Sequence, residues 1–181
     1  MKTLSNRAYE ATILDELPSG SALNYFPPAH GGQGGHDGVI VGIKPAHQSR
    51  WVGTFAFGAG TLTGLFACPD SGNLCVISRG DGYLINAANP ADWTKLPVDP
   101  INRVFNEPES NMLILNDFTD VYAWGRSGLL WKTDRLASDD VEIKQIDEQA
   151  VTGIATKFGR PVRFVVDIRT GKILSIEPSN A

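Results

Sequence analysis

The chain has 181 residues, 42% of them apolar and 20% charged, with a net charge of −4 and a pI near 5.3; a chain of this length buries a core without disulfide staples. Its basic residues, among them Lys44, Arg50, Arg79, Lys95, Arg103 and Arg126, are scattered singly. That argues against a nucleic-acid partner, since phosphate recognition gathers such charges on one face. No window approaches the ~18 apolar residues of a membrane span, and no signal-type apolar core follows residues 1–7, so no membrane partner and a cytoplasmic location are expected.

In residues 1–20, Leu4, Ala8, Ala11, Ile13, Leu14 and Leu17 fall on a helical stripe, with Ser5 as cap and Pro18-Ser19-Gly20 as stop. The spacing predicts one short N-terminal helix; an extended reading of 9–17, with Ala11 and Ile13 alternating, competes with it. Residues 24–38 form a Pro/Gly-rich loop, too rich in glycine for regular structure. Residues 39–63 hold a first strand pair, Val39 to Ile43 and Trp51 to Gly58, around a turn that starts at Pro45.

Two stretches then read alike. Phe66 and Pro69 recur 39 residues later as Phe105 and Pro108, while Asn73 and Trp93 recur 38 later as Asn111 and Trp131. Residues 64–100 and 101–137 are thus two repeats, each of four short strands joined by turn chemistry such as Arg79-Gly80-Asp81-Gly82 and Arg126-Ser127-Gly128. A partial third repeat occupies 138–177, opening on an edge strand whose alternation runs from Val141 to Ile146. Cys68 and Cys75 bracket the turn of the first repeat. Pairing Pro69 with Leu74 at a non-hydrogen-bonded site leaves the cysteines opposite each other at the wider one, and two buried thiols are favoured over a disulfide.

A period near 40 residues with four strands per copy resembles a β-propeller blade. The phrases Gly82-Tyr83-Leu84-Ile85-Asn86, Arg126-Ser127-Gly128-Leu129-Leu130-Trp131-Lys132 and Val166-Asp167-Ile168-Arg169-Thr170-Gly171-Lys172-Ile173-Leu174 are similar to the strand-turn-strand closings of PQQ-like propeller repeats, over roughly residues 62–175. The expected fold is mainly β: repeated four-stranded antiparallel meanders in a small or irregular propeller-like array, with a β-sandwich or open barrel as the alternative. The resemblance transfers no activity, because propellers host binding and catalysis alike.

For chemistry, the loop supplies His30, His36 and Asp37, with His47 beyond it. Imidazoles and a carboxylate are metal ligands, but the spacing matches no compact zinc signature, so a polar partner-binding loop stands beside the metal reading and no cofactor is expected. Gly31-Gly32-Gln33-Gly34-Gly35 lacks the lysine of a phosphate loop. Ser71 and Ser127 have no paired histidine, and Asp81, Asp117 and Asp120 sit in turns where aspartate normally bonds its own backbone. Trp51, Trp93, Trp124 and Trp131 read as packing residues. Trp124, next to Gly125 and Arg126 at a loop mouth, is the candidate for a partner contact. The sequence therefore points to a non-enzymatic protein-binding module, adaptor or immunity-like, with a protein partner and room for homo-oligomerisation. The alternative is a ligand- or metal-binding domain or enzyme centred on the His/Gly-rich loop.

Overall fold

The computed structural model describes residues 2–20, 23–28, 37–107 and 111–179. Seventeen strands build four sheets, and no helix occurs among the described residues. None is therefore long and apolar enough to cross a membrane. Among the described residues no sheet closes into a barrel.

The first compact unit, Met1–Ile101, carries two sheets. In the first, β1 (Thr3–Ser5), β2 (Tyr9–Leu14), β4 (Gly38–Pro45) and β5 (Trp51–Ala56) pair antiparallel in that order, and β3 (Leu23–Phe26), between β2 and β4 in the chain, crosses over to add a parallel strand to the β5 edge. The expected N-terminal helix is thus replaced by a hairpin, with Leu4 opposite Ala11. The cause is local. Asn6 Oδ1 accepts from the backbone N–H of Ala8 at 2.7 Å and of Tyr9 at 2.9 Å, an Asx turn that breaks any helix started at Ser5. Beyond it the period of two wins: Tyr9, Ala11 and Ile13 all pack into the core. The strand pair expected at 39–63 is present as β4 and β5, inside a five-stranded sheet.

The second sheet is β6 (Gly64–Ala67), β7 (Asn73–Ser78), β8 (Asp81–Asn86) and β9 (Asn89–Lys95), in that spatial order. Its Leu74, Val76, Tyr83 and Ile85 meet Tyr9, Val41, Ile43 and Phe55 of the first sheet in one core. Phe26 stacks on Phe55 at 4.7 Å with 5° between ring planes, and Trp93 meets Phe26 edge-on at 5.6 Å. Gly53 is required there: a Cβ would stand 2.9 Å from Phe55 and 3.0 Å from Phe26. Trp51 adds a staple, its indole N–H donating to the Ala87 carbonyl at 2.8 Å, just after β8.

The second unit, Asn102–Ala181, repeats this construction. Its third sheet is β10 (Arg103–Glu107), β11 (Met112–Asn116), β12 (Val121–Gly125) and β13 (Gly128–Lys132). The fourth is β14 (Asp139–Ile146), β15 (Ala150–Lys157), β16 (Arg160–Asp167) and β17 (Ile173–Pro178), with β14 on the edge. Met112, Ile114, Val121, Ala123 and Trp131 share a core with Val141, Val151, Phe164 and Val166. Trp131 donates to the Ile168 carbonyl at 2.8 Å, just after β16, as Trp51 does to Ala87.

The pairing registers correct the sequence alignment. Phe66 faces Cys75 and Phe105 faces Ile114; Val76 faces Tyr83 and Leu115 faces Tyr122. The offset is therefore 39 throughout these three strands, and Tyr83 corresponds to Tyr122. Trp93 and Trp131 are not equivalent: Trp93 faces Ile85, whereas Trp131 faces Ala123, the counterpart of Leu84. Both are core residues, but on opposite faces of their sheets. The register also shows that Cys68 and Cys75 are not opposite each other, since Ala67 pairs with Leu74 and Phe66 with Cys75.

Candidate functional site

His30 and His36 lie outside the described residues. Asp37 and His47, both exposed, stand at the two ends of β4, one before Gly38 and the other after Pro45. At ~3.3 Å per residue the strand holds them roughly 25 to 30 Å apart, too far to share an ion. Among the described residues no three His, Cys, Asp or Glu side chains gather as metal ligands.

Asp37 borders a cleft of about 300 Å³ on the face of the first sheet turned away from the second. Register builds that face: Leu14 opposes Ile40, Ile40 opposes Thr54, and Thr54 opposes Tyr25. Leu17 and Leu23 complete the apolar lining, and Leu17 is 49% exposed. Thr54 Oγ1 is buried without a hydrogen-bond partner among the described residues. His47 lines a separate cleft of about 240 Å³ with Arg7, Pro45 and Ala88.

Trp124 and Arg126 lie at the β12–β13 hairpin. Trp124 is half-buried and pairs with Leu113 and Leu129. The register shift between Ala123 and Trp124 is a bulge, a feature that re-aims a side chain. Leu129 and Leu130, 46% and 49% exposed, follow the turn that carries the exposed Arg126. Sequence reasoning assigned these leucines to a strand and missed that both emerge at the hairpin end. The structure thus brings Trp124 and Arg126 together with two apolar neighbours, and does not bring Asp37 together with His47.

A second group escaped the sequence reading because each lysine lies a strand away from its aspartate, on β9 and β13. Asp81, 7% exposed, is bound by Lys95 Nζ at 2.7 Å, and Tyr83 Oη donates to the Ala56 carbonyl at 3.2 Å and to Asp81 at 3.4 Å. Thirty-nine residues on, Asp120 is also 7% exposed and is bound by Lys132 Nζ at 3.2 Å. Tyr122 Oη there donates to Asp117 Oδ2 at 2.7 Å. Burial and then the neighbouring aspartates push both phenols well above their ordinary value. Neutral phenols and lysine-bound carboxylates are braces of the repeat, and the Asp-x-Tyr spacing was its legible signal. Asp117 behaves as expected of a turn aspartate, its Oδ1 accepting from the N–H of Thr119 and of Asp120, both at 2.7 Å. Asp81 and Asp120 instead turn to side chains on other strands.

Cys68 and Cys75 are free thiols. Burial, reinforced by Asp70, pushes Cys68 up to about 12, and burial followed by Cys68 raises Cys75 well above the ordinary thiol value. Both shifts favour the neutral thiol, the form that is not the nucleophile.

No protein-family model and no curated protein matches the chain. The similar solved structures include one described as a crystal structure of the eukaryotic initiation factor, at 12% identity and a TM-score of 0.46, covering 80% of this chain and 40% of that one. The chain therefore spans less than half of that protein's length.

Proposed function

We propose that the chain is a non-enzymatic protein-binding module, adaptor or immunity-like, built as a small propeller-like array in which each four-stranded meander is a blade. The blade reading is supported by the constant offset of 39, the doubled Asp-Tyr-Lys brace and the paired indole staples. The binding reading rests on one observation: Trp124 stands half-buried opposite the half-exposed Leu129, at the hairpin that also carries the half-exposed Leu130 and the exposed Arg126, the composition of an interface hot spot. Aromatic and leucine surface at a hairpin end costs solubility unless a partner covers it.

The test is a pair of variants, Trp124→Ala and Leu129→Ser, used as bait beside the unaltered protein in a quantitative pull-down from the native cell extract. Both should lose a partner that the parent retains, while the thermal midpoint stays within about 2 °C, as for a surface substitution. A large fall in midpoint for Trp124→Ala makes this tryptophan core and removes the site. The alternative, a ligand or metal site centred on His30, His36, Asp37 and His47, is less well supported, because Asp37 and His47 flank opposite ends of β4.

A further inference from the structure

The turn joining β15 to β16 breaks a local rule. Lys157 pairs with Arg160, leaving the two-residue connection Phe158-Gly159 with φ of +51° and +73°. Positive φ at both positions defines a type I′ turn, whose first position prefers Asn, Asp or Gly, and a bulky residue there is an outlier. Phe158 is also 87% exposed, the most exposed large apolar side chain among the described residues. The other such turn, Arg79-Gly80 with φ of +48° and +89°, has a local reason for its residue, since the Arg79 guanidinium lies 5.4 Å from the centre of the Phe57 ring. Among the described residues Phe158 has no stacking or cation-π neighbour of that kind.

The unfavourable backbone is nevertheless held in place. Ser138 Oγ donates to the Thr156 carbonyl at 3.0 Å and accepts the Phe158 N–H at 3.1 Å, while the Ser138 N–H donates to the same carbonyl at 2.9 Å. A strained residue persists where its surroundings over-determine it, and such strain gathers at functional positions. The clasp presents the ring on a fixed backbone, which lowers the ordering cost of inserting it into a partner. Lys157 and Arg160 flank it without an ion pair among the described residues, and Asp139 and Asp140 open the neighbouring strand β14.

We infer that Phe158 is a docking knob for a second copy of this chain, received by the cleft that Leu17, Leu23, Tyr25 and Ile40 line and Asp37 borders. The fit is one of size and of charge. A cleft of about 300 Å³ admits one aromatic ring, and Leu17, Leu23, Tyr25 and Ile40 give it an apolar side opposite the polar Thr54 and Asp37. Its rim carries Asp37, and the exposed Asp15 and Glu16 immediately precede Leu17, set to meet Lys157 and Arg160. The contact is heterologous, with the knob on one unit and the cleft on the other, so each copy offers one of each.

Sedimentation velocity on the full chain, from micromolar to millimolar concentration, tests this with the protein itself as the probe. The parent should self-associate, more weakly as salt rises. Phe158→Asn should weaken association by about tenfold or more, as for loss of a buried aromatic anchor. It should also melt about 1 to 4 °C higher, because Asn-Gly suits the turn that Phe-Gly strains. Asp37→Lys should be equally monomeric. An equimolar mixture of the two variants should regain association, since one retains the cleft and the other the knob. A parent that stays monomeric throughout, association unchanged in Phe158→Asn, or a mixture that stays monomeric overturns the inference. None of these outcomes bears on the Trp124 hairpin, whose variants leave knob and cleft intact.

Discussion

Replacing Trp131 by phenylalanine removes one nitrogen and one ring from a position that is 7% exposed. The indole N–H donates at 2.8 Å to the carbonyl of Ile168, a residue 2% exposed, so Trp131→Phe leaves that acceptor without its donor. A buried polar group deprived of its partner costs about 1–3 kcal/mol. The lost ring removes roughly 40 Å² of buried apolar contact, or about 1 kcal/mol at ~25 cal/mol/Å². Gly171 cannot refill the space, because its φ of +70° and its packing against the indole exclude a side chain; a Cβ there would stand 2.6 Å from Trp131. Together these give about 2–4 kcal/mol, a large share of the ~5–15 kcal/mol that holds a typical domain. Urea unfolding followed by far-UV circular dichroism should show a midpoint lower by about 1–2 M at an unchanged slope near 2 kcal/mol/M. Hydrogen exchange should localise the loss to amides of β13 and of the turn at Asp167 and Ile168. A cost below about 1 kcal/mol, or turn amides as protected as in the parent, would refute the staple argument here and, by the same geometry, at Trp51.

The remaining predictions concern titration and reactivity. At pH 8 the buried Cys75 should resist a disulfide-exchange reagent in the native state and react once the protein is unfolded, with the half-buried Cys68 slower than an unfolded thiol; prompt native labelling of Cys75 would contradict its burial. Their neutral thiols are favoured by folding. That stabilisation is complete below the ordinary thiol pKa and lost as pH rises towards the raised folded values, so unfolding should ease progressively on the alkaline side. Asp167 accepts from the Thr170 hydroxyl at 2.7 Å and from the backbone N–H of Thr170 at 2.8 Å and Arg169 at 3.0 Å, bonds that hold its carboxyl below its ordinary value. Asp147 is lowered likewise by the N–H groups of Gln149 and Ala150. Depressed carboxyls stabilise the fold above their unfolded pKa, and the contribution fades as pH falls through the folded one. NMR titration should find both midpoints below those of exposed aspartates, and Asp167→Asn should flatten part of the acid-side slope; ordinary midpoints would remove these turns from the account of acid stability.

Much of the architecture was legible one strand at a time. Alternation marked the edge strand β14, glycine turns marked the hairpins, and the echo of Phe66 in Phe105 marked two sheets of one design. The N-terminal stripe misled because Ala11 fits a helical run with Ala8 and Leu14 and, at the same time, a strand alternation with Tyr9 and Ile13, and the Asx turn at Asn6 decided between them. The Trp93 and Trp131 echo misled because a one-residue change of register turns a side chain to the opposite face, which spacing alone does not reveal.

Of the candidate site, sequence singled out Trp124 and Arg126 but not the leucines beside them, and it grouped Asp37 with His47, which β4 separates. Phe158-Gly159 was written in the chain throughout as a Phe where Asn is preferred. Its meaning depended on the pairing of Lys157 with Arg160, on the Ser138 clasp from a neighbouring strand and on 87% exposure. Composition and period determine that this chain makes meanders, because turn chemistry and alternation are local. Which face each strand buries, and which aromatic is left in water, are set by register and by neighbouring sheets, and only the tertiary structure decides those.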